Sequence, residues 1–320
     1  MDDFRLKDIS IKNFRSIKDV KFELSPEITL LVGPNGAGKS NILKAIAVLY
    51  NRVTVDKSDS SILFVGPSSI EGNTKSTKLY YNSQGQINYQ ALDSLTKAIF
   101  PDPQQVKRQA FYMSDSRLYT NQSIINTDPI LMLPNGSDLS GAYNYYRGSK
   151  AEPNDIEDYL KKVQRIIPDI NSIVAPNIKN NAGYAALKIK IGHGATITEI
   201  SCDTATPGTL DAIFIAFVLQ IFPHFSVYIL DSPDINLHDG AQEALIKLIR
   251  EIAKAESKQF IIATHSPVLI NACSPDEVIL VTKENAQTNV KTVSKVSEII
   301  DVLQSTDTKL SDIASSMKAV

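Results

Sequence analysis

The sequence has little cysteine. It has two such residues, Cys202 and Cys273, far apart in 320. Two thiols so separated make no disulfide framework, and they point to a reducing cytosol and two small buried side chains. Charge of one sign is not in surplus either. The formal net charge of −2 argues against a chain coated with nucleic acid, while leaving room for a local basic face. Long apolar runs are missing. The most apolar stretch, Ile213 to Phe225, is too short for a bilayer and is broken by Gln220, Pro223 and His224. The first ten residues are charged and have no apolar core, so no signal peptide is expected there. Sustained heptads and internal repeats are also missing. What remains is an ordinary globular composition, 43% hydrophobic and 21% charged. It suits one large or two smaller domains, cytoplasmic and without a membrane partner.

Periodicity divides the chain into three parts. In residues 1–50, Phe4 to Phe14 and Ile17 to Leu24 alternate as strands around an Arg15-Ser16 corner. Ile28 to Val32 reads as a strand buried on both faces, and Asn41 to Tyr50 as a helix. Residues 51–200 are richer in Ser, Asn, Gln, Tyr and Pro and read as a mixed α/β insert, a lid or arm. Within it, Lys78 to Tyr89 looks like a hairpin, and Ala91 to Ile99 and Asn154 to Ile167 like helices. Residues 201–320 alternate again. Leu210 to Phe222 and Ala241 to Ala255 read as helices, and a short helix starts at Pro267. Val227 to Leu230, Phe260 to Ala263 and Glu277 to Thr282 read as strands. Such alternation implies a mostly parallel sheet flanked by helices, split by the insert.

Three segments carry chemistry. Gly33-Pro34-Asn35-Gly36-Ala37-Gly38-Lys39-Ser40 has the P-loop spacing, after a buried strand and before a helix. Gly36 and Gly38 let the backbone turn several N–H groups onto one phosphate, and the following helix adds its positive dipole end. Asn35, Ala37 and Asn41 belong to the same cradle. Lys39 supplies a charge to β- and γ-phosphates, and the Ser40 hydroxyl is a magnesium ligand. Asp231 ends the Val227 strand, where a carboxylate at the carboxyl edge of a parallel sheet can hold magnesium through water. His265 follows the Phe260 strand in Ala263-Thr264-His265-Ser266-Pro267, placed to donate to a γ-phosphate or to orient a water.

These segments, with Asp231-Ser232-Pro233-Asp234 and Leu237-His238, resemble the ABC-type ATPases of the RecF, SMC and OLD group. So does the opening Ile11-Lys12-Asn13-Phe14-Arg15-Ser16. The resemblance spans roughly the first fifty and last hundred and twenty residues. It implies a P-loop fold of the ABC-ATPase type, a mostly parallel sheet with an antiparallel β subdomain. It implies ATP and magnesium as ligands and a homodimer that sandwiches ATP. It also implies a signature segment, which falls on Ala205-Thr206-Pro207-Gly208-Thr209. Thr206 would cap a helix there and, with Gly208, face the γ-phosphate held by the second copy. Arg15 is implied to contact nucleotide or the facing head, and Arg117 to lie on the γ-phosphate side.

The sequence departs from that group at one point of chemistry. The usual Asp-Glu-Pro is Asp231-Ser232-Pro233 here. A serine hydroxyl is a poor base, so assistance of about 10²–10⁴-fold is missing. Asp234 is the remaining nearby carboxylate. The expectation is tight ATP binding, slow hydrolysis and a long-lived dimer. Few residues follow the Glu277 strand, so no metal-nuclease domain is expected, and Asp301, Asp307 and Asp312 read as a solvated face. The implied activity is a motor or switch in DNA repair or anti-phage defence with a separate effector. A non-hydrolysing, ATP-gated scaffold is the alternative. A P-loop kinase would leave the His265 and Gly208 segments without roles. DNA binding stays open, with Tyr143, Tyr145, Tyr146, Arg147, Lys150, Lys161, Lys162 and Arg165 weighed as a stacking and cationic patch against a mixed polar surface.

Overall fold

A computed structural model describes residues 4–50, 52, 69–73, 77–82, 87–91, 109–119, 135–137, 139–149, 151–174, 187–221 and 225–293. The chain begins β1 (Asp8–Phe14), β2 (Ile17–Glu23), β3 (Ile28–Val32), α1 (Lys39–Leu49), β4 (Ser69–Asn73), β5 (Thr77–Asn82) and β6 (Ile87–Ala91). It continues β7 (Ala110–Met113), α2 (Leu139–Ser149), α3 (Pro153–Ile166), β8 (Ile170–Val174), β9 (Lys188–Ile191) and β10 (Thr198–Ser201). Then come α4 (Pro207–Ile221), β11 (Val227–Asp231), α5 (Asp239–Ala255), β12 (Gln259–Thr264), α6 (Pro267–Asn271), β13 (Val278–Glu284) and β14 (Gln287–Thr292). Two compact units result. The first holds Met1–Tyr112, His224–Ser232 and Ile249–Val320, and the second Met113–Pro223 and Pro233–Leu248.

The six-stranded sheet of the first unit runs β14-β13-β3-β12-β11-β7. β3 lies parallel to both β12 and β13, and β11 parallel to β12. Every residue of β3, β11 and β12 is buried, as apolar runs covered on both faces require. Helix α1 buries Ile42, Leu43, Ile46 and Leu49 in the same core. The antiparallel sheet is β2-β1-β4-β5-β6. Its strands β1 and β2 alternate buried and exposed positions, leaving one face for the core. Gln259 is fully buried, yet its side chain accepts from Leu6 N at 2.9 Å and donates to the carbonyls of Leu6 and Ser25 at 2.8 Å. A buried amide so satisfied braces the amino-terminal segment, each bond netting about 1 kcal/mol.

The second unit is helical with a small sheet, β10-β9-β8, antiparallel throughout. Its helices meet through aromatic rings. Phe217 lies 5.7–6.1 Å from Tyr159, Tyr143 and Tyr146, centroid to centroid. The Tyr143 and Tyr159 hydroxyls donate to Ile173 O at 3.0 Å and Ile213 O at 3.2 Å. Helix α3 starts with Pro153 and a capping box of Glu152 and Asp155.

The structure bears on the choice between a stacking patch and a mixed polar surface. Tyr143 and Tyr146 are buried against Phe217, so they cannot stack bases; their alternation with polar residues is that of one helix, not of a nucleic-acid surface. Lys161 is engaged with Glu157 and Asp158 on an exposed face. Strand β4 pairs with the outer edge of β1, and β5 and β6 follow it into the antiparallel sheet, because an open strand edge is most simply covered by another strand. The strands of the Lys78–Tyr89 hairpin form as read. Ala91, expected to open a helix, instead ends β6, while residues 83–86 and 92–99, Lys150 and the tail aspartates lie outside the described residues. Among those residues no helix is long and apolar enough to cross a membrane.

Candidate functional site

The P-loop leaves the carboxyl end of β3 and enters α1. Gly36 and Gly38 take left-handed backbone angles, φ 74° and 112°, which glycine adopts without a Cβ penalty. A Cβ on Gly38 would also stand 2.1 Å from Thr288 Oγ1. Asn35 and Gly36 are exposed at the crown of the loop, and Ala37 is buried beneath it. The loop closes on itself through Ala37 N to Pro34 O at 3.2 Å, and the helix begins with Ile42 N to Gly38 O at 3.0 Å.

Lys39 folds back along the loop. Its ammonium donates to Gly33 O at 2.9 Å and Pro34 O at 3.1 Å. It also lies 2.8 Å from His265 Nε2. Burial, and then the Lys39 charge, press the His265 pKa from 6.5 down to about 4. A neutral imidazole beside an ammonium accepts with Nε2, which leaves the ring proton on Nδ1. Sequence placed these residues 226 positions apart; the parallel register of β3 and β12, Val32 beside Thr264, brings them together.

The same register places Asp231. It pairs with Ala263, which pairs with Leu31 two residues before Gly33. Asp231 is buried at 1% exposure at the carboxyl edge of the sheet. Ser40 is half-buried in the first turn of α1. A hydroxyl and a carboxylate are oxygen donors of the kind a hard divalent cation takes, so the donor chemistry of Ser40 and Asp231 suits magnesium. Bound there, the ion would neutralise phosphate charge. Ser232 follows Asp231 with φ 49°, uncommon for a residue with a side chain, and its N–H donates to Ala263 O at 2.9 Å.

Arg15 also takes a left-handed φ, 50°. Its Nη1 donates to Asn41 Oδ1 at 3.1 Å, which joins the β1–β2 turn to the helix behind the loop. Sequence reasoning missed Thr288. It stands on β14, is 2% exposed, and donates from Oγ1 to Ala37 O at 2.8 Å. The only signal was the Asn285-Ala286 pair, a two-residue hairpin turn with φ 48° and 63° that aims the strand back over the loop.

The remaining candidates lie in the second unit. Thr206 caps α4, its Oγ1 accepting from Thr209 N at 3.4 Å, with Pro207 opening the helix. Gly208 packs tightly, since a Cβ would stand 2.3 Å from Asn236 O. Asp234 is buried, and its carbonyl accepts from Leu237 N at 2.9 Å. Arg117 has another engagement than a phosphate. Its guanidinium, 3% exposed, pairs with Asp211 on α4 at 2.8 Å. Tyr119 and Asn236 donate to the same carboxylate at 2.5 and 2.8 Å. Burial first, then Asp211, hold the Tyr119 hydroxyl far above its ordinary pKa, so it remains a donor.

A family model described as the AAA ATPase domain matches residues 5–96 and 68–270. The OLD nuclease of Thermus scotoductus is 25% identical over 331 aligned residues, covering 87% of this chain and 62% of that protein. The DNA replication and repair protein RecF of Rickettsia canadensis is 22% identical over 200, covering 55% of this chain and 54% of its own. This chain therefore spans about half to six tenths of those relatives. An SMC head solved with the C-winged helix domain of ScpA superposes with a TM-score of 0.64 at 19% identity, covering 92% of this chain and 99% of that one. The fold is that of an SMC head. With a family match across most of its length, the chain belongs to the AAA ATPase domain family.

Proposed function

We propose that the chain binds ATP with magnesium at Gly33–Asn41, and that two copies close around two ATP molecules. In that arrangement Thr206 and Gly208 of each copy face the γ-phosphate held by the other. The observation that carries this reading is the Lys39 ammonium, set over two loop carbonyls and against His265 at the edge of a buried parallel sheet. A polyanion entering the cradle meets Lys39, the loop amides and the helix terminus together. The OLD, RecF and SMC likenesses support a role in DNA repair or in defence against foreign DNA, as a switch that works with a separate effector.

Hydrolysis in this reading is slow. His265 orients water or touches the γ-phosphate with Nδ1–H available as donor, while Ser232 offers no base. Asp234 is the nearest acidic replacement in sequence. The Ser232 substitution also favours a second reading, an ATP-gated scaffold that does no net catalysis. Phosphate release measured with and without DNA separates the two. A Ser232→Glu variant should release phosphate at least tenfold faster than the native chain. A fast native enzyme that the substitution leaves unchanged would remove the slow-switch reading.

A further inference from the structure

We infer that Thr288 sets the orientation of the Gly38 amide, as the last link of a one-way hydrogen-bonded chain that starts at Arg15. The inference rests on the nucleotide-binding reading of the loop and names the residue that shapes it from outside.

The direction of each link follows from proton counting. Thr288 Oγ1 gives its one proton to Ala37 O at 2.8 Å. In its 2.7 Å contact with Ser16 Oγ, Ser16 is then the donor. Ser16 Oγ in turn accepts from Asn41 Nδ2 at 2.8 Å. The other end of that amide, Asn41 Oδ1, accepts from Arg15 Nη1 at 3.1 Å. Every link runs the same way, from a permanent cation through an amide and two hydroxyls to a loop carbonyl. Aligned hydrogen bonds of this kind polarise one another.

The carbonyl at the end of the chain belongs to the peptide that carries the Gly38 N–H. The peptide is trans and planar, so its C=O and N–H point to opposite sides. Fixing Ala37 O against Thr288 aims the Gly38 N–H away from β14. Polarising that carbonyl also strengthens the N–H as a donor to an anion. Thr288 is itself held, since its N–H donates to Ser16 O at 2.9 Å. It occupies the volume that a side chain at position 38 would need. Thr288 is a positioning residue. Arg15 acts on the loop through the chain, without having to touch nucleotide.

The full chain is compared as native protein, Thr288→Ser, Thr288→Val, Ser16→Ala and the Ser16→Ala, Thr288→Val double variant. ATP affinity is read by calorimetry, and the Gly38 amide by ¹H–¹⁵N resonance in glycine-labelled protein. Thr288→Val and Ser16→Ala should each weaken ATP by about tenfold, and the double variant by hardly more, because both cut one chain. Thr288→Ser should stay within about threefold of native. The Gly38 resonance should move in the Val and Ala variants and hold in the Ser variant. Native-like ATP affinity in Thr288→Val with an unmoved Gly38 resonance would overturn the inference. A native chain that fails to bind ATP sinks the nucleotide reading instead, and the Gly38 resonance still decides the chain. If Thr288→Val does not fold, Ser16→Ala decides by the same two readouts.

Discussion

Lys39 and His265 share one electrostatic arrangement. Replacing Lys39 with Ala removes the ammonium from Gly33 O, Pro34 O and His265 at once. ATP affinity should fall by about a hundredfold or more, read by calorimetry. The same change removes one cause of the low His265 pKa, so the imidazole should titrate above about 4 in an NMR titration. The native pair also ties stability to pH. The folded protein takes up the His265 proton less readily than the unfolded chain, whose histidine titrates near its ordinary 6.5. This contribution is therefore complete above pH 6.5 and is lost as pH falls toward 4. Denaturation midpoints measured across that window should rise with pH more steeply in the native protein than in His265→Gln. At this scale the sequence was legible where spacing is local, as in Gly36, Gly38, Lys39 and Ser40. It was silent on the Lys39–His265 contact and on Thr288, because β-sheet register between distant strands leaves no trace in either segment.

Among the elements, α4 shows how a motif and a packing need coincide. Gly208 lies where the signature of the family is expected, and its hydrogen stands against the Asn236 carbonyl. Gly208→Ala drives a Cβ into backbone that cannot swing aside, so it should cost about 1–3 kcal/mol by denaturant titration without nucleotide. Loss of ATP-linked function with unchanged stability would instead mark Gly208 as purely a ligand contact. Most long elements were legible because their apolar residues recur at helical spacing or fill a buried strand: β3, α1, α3, α4, β11, α5 and β12. The short strands β8, β9 and β10 were not. They hold four or five residues each, too few for an alternation to stand out from the polar stretches around them. Helix α2 was hidden for another reason. Tyr143 and Tyr146 read as a surface while they face Phe217.

At the scale of the whole molecule, the proposed dimer is a concentration-dependent object. With magnesium and ATP, light scattering should show mass doubling over the native 35.1 kDa chain, and Lys39→Ala should remain monomeric under the same conditions. A native chain that keeps one mass at every ATP concentration would exclude the sandwich. The alternation of strands and helices, rather than composition, made the fold class readable. The two compact units each draw on distant stretches of chain.

That interleaving has a consequence for synthesis. Strand β3, which carries the glycine cradle, is flanked on both sides by strands that follow it by more than two hundred residues. On the ribosome its edges therefore have no native partners until β12 and β13 emerge. Nucleotide competence should arrive late and in a single step during translation, and a nascent chain halted after α4 should retain nothing on immobilised ATP.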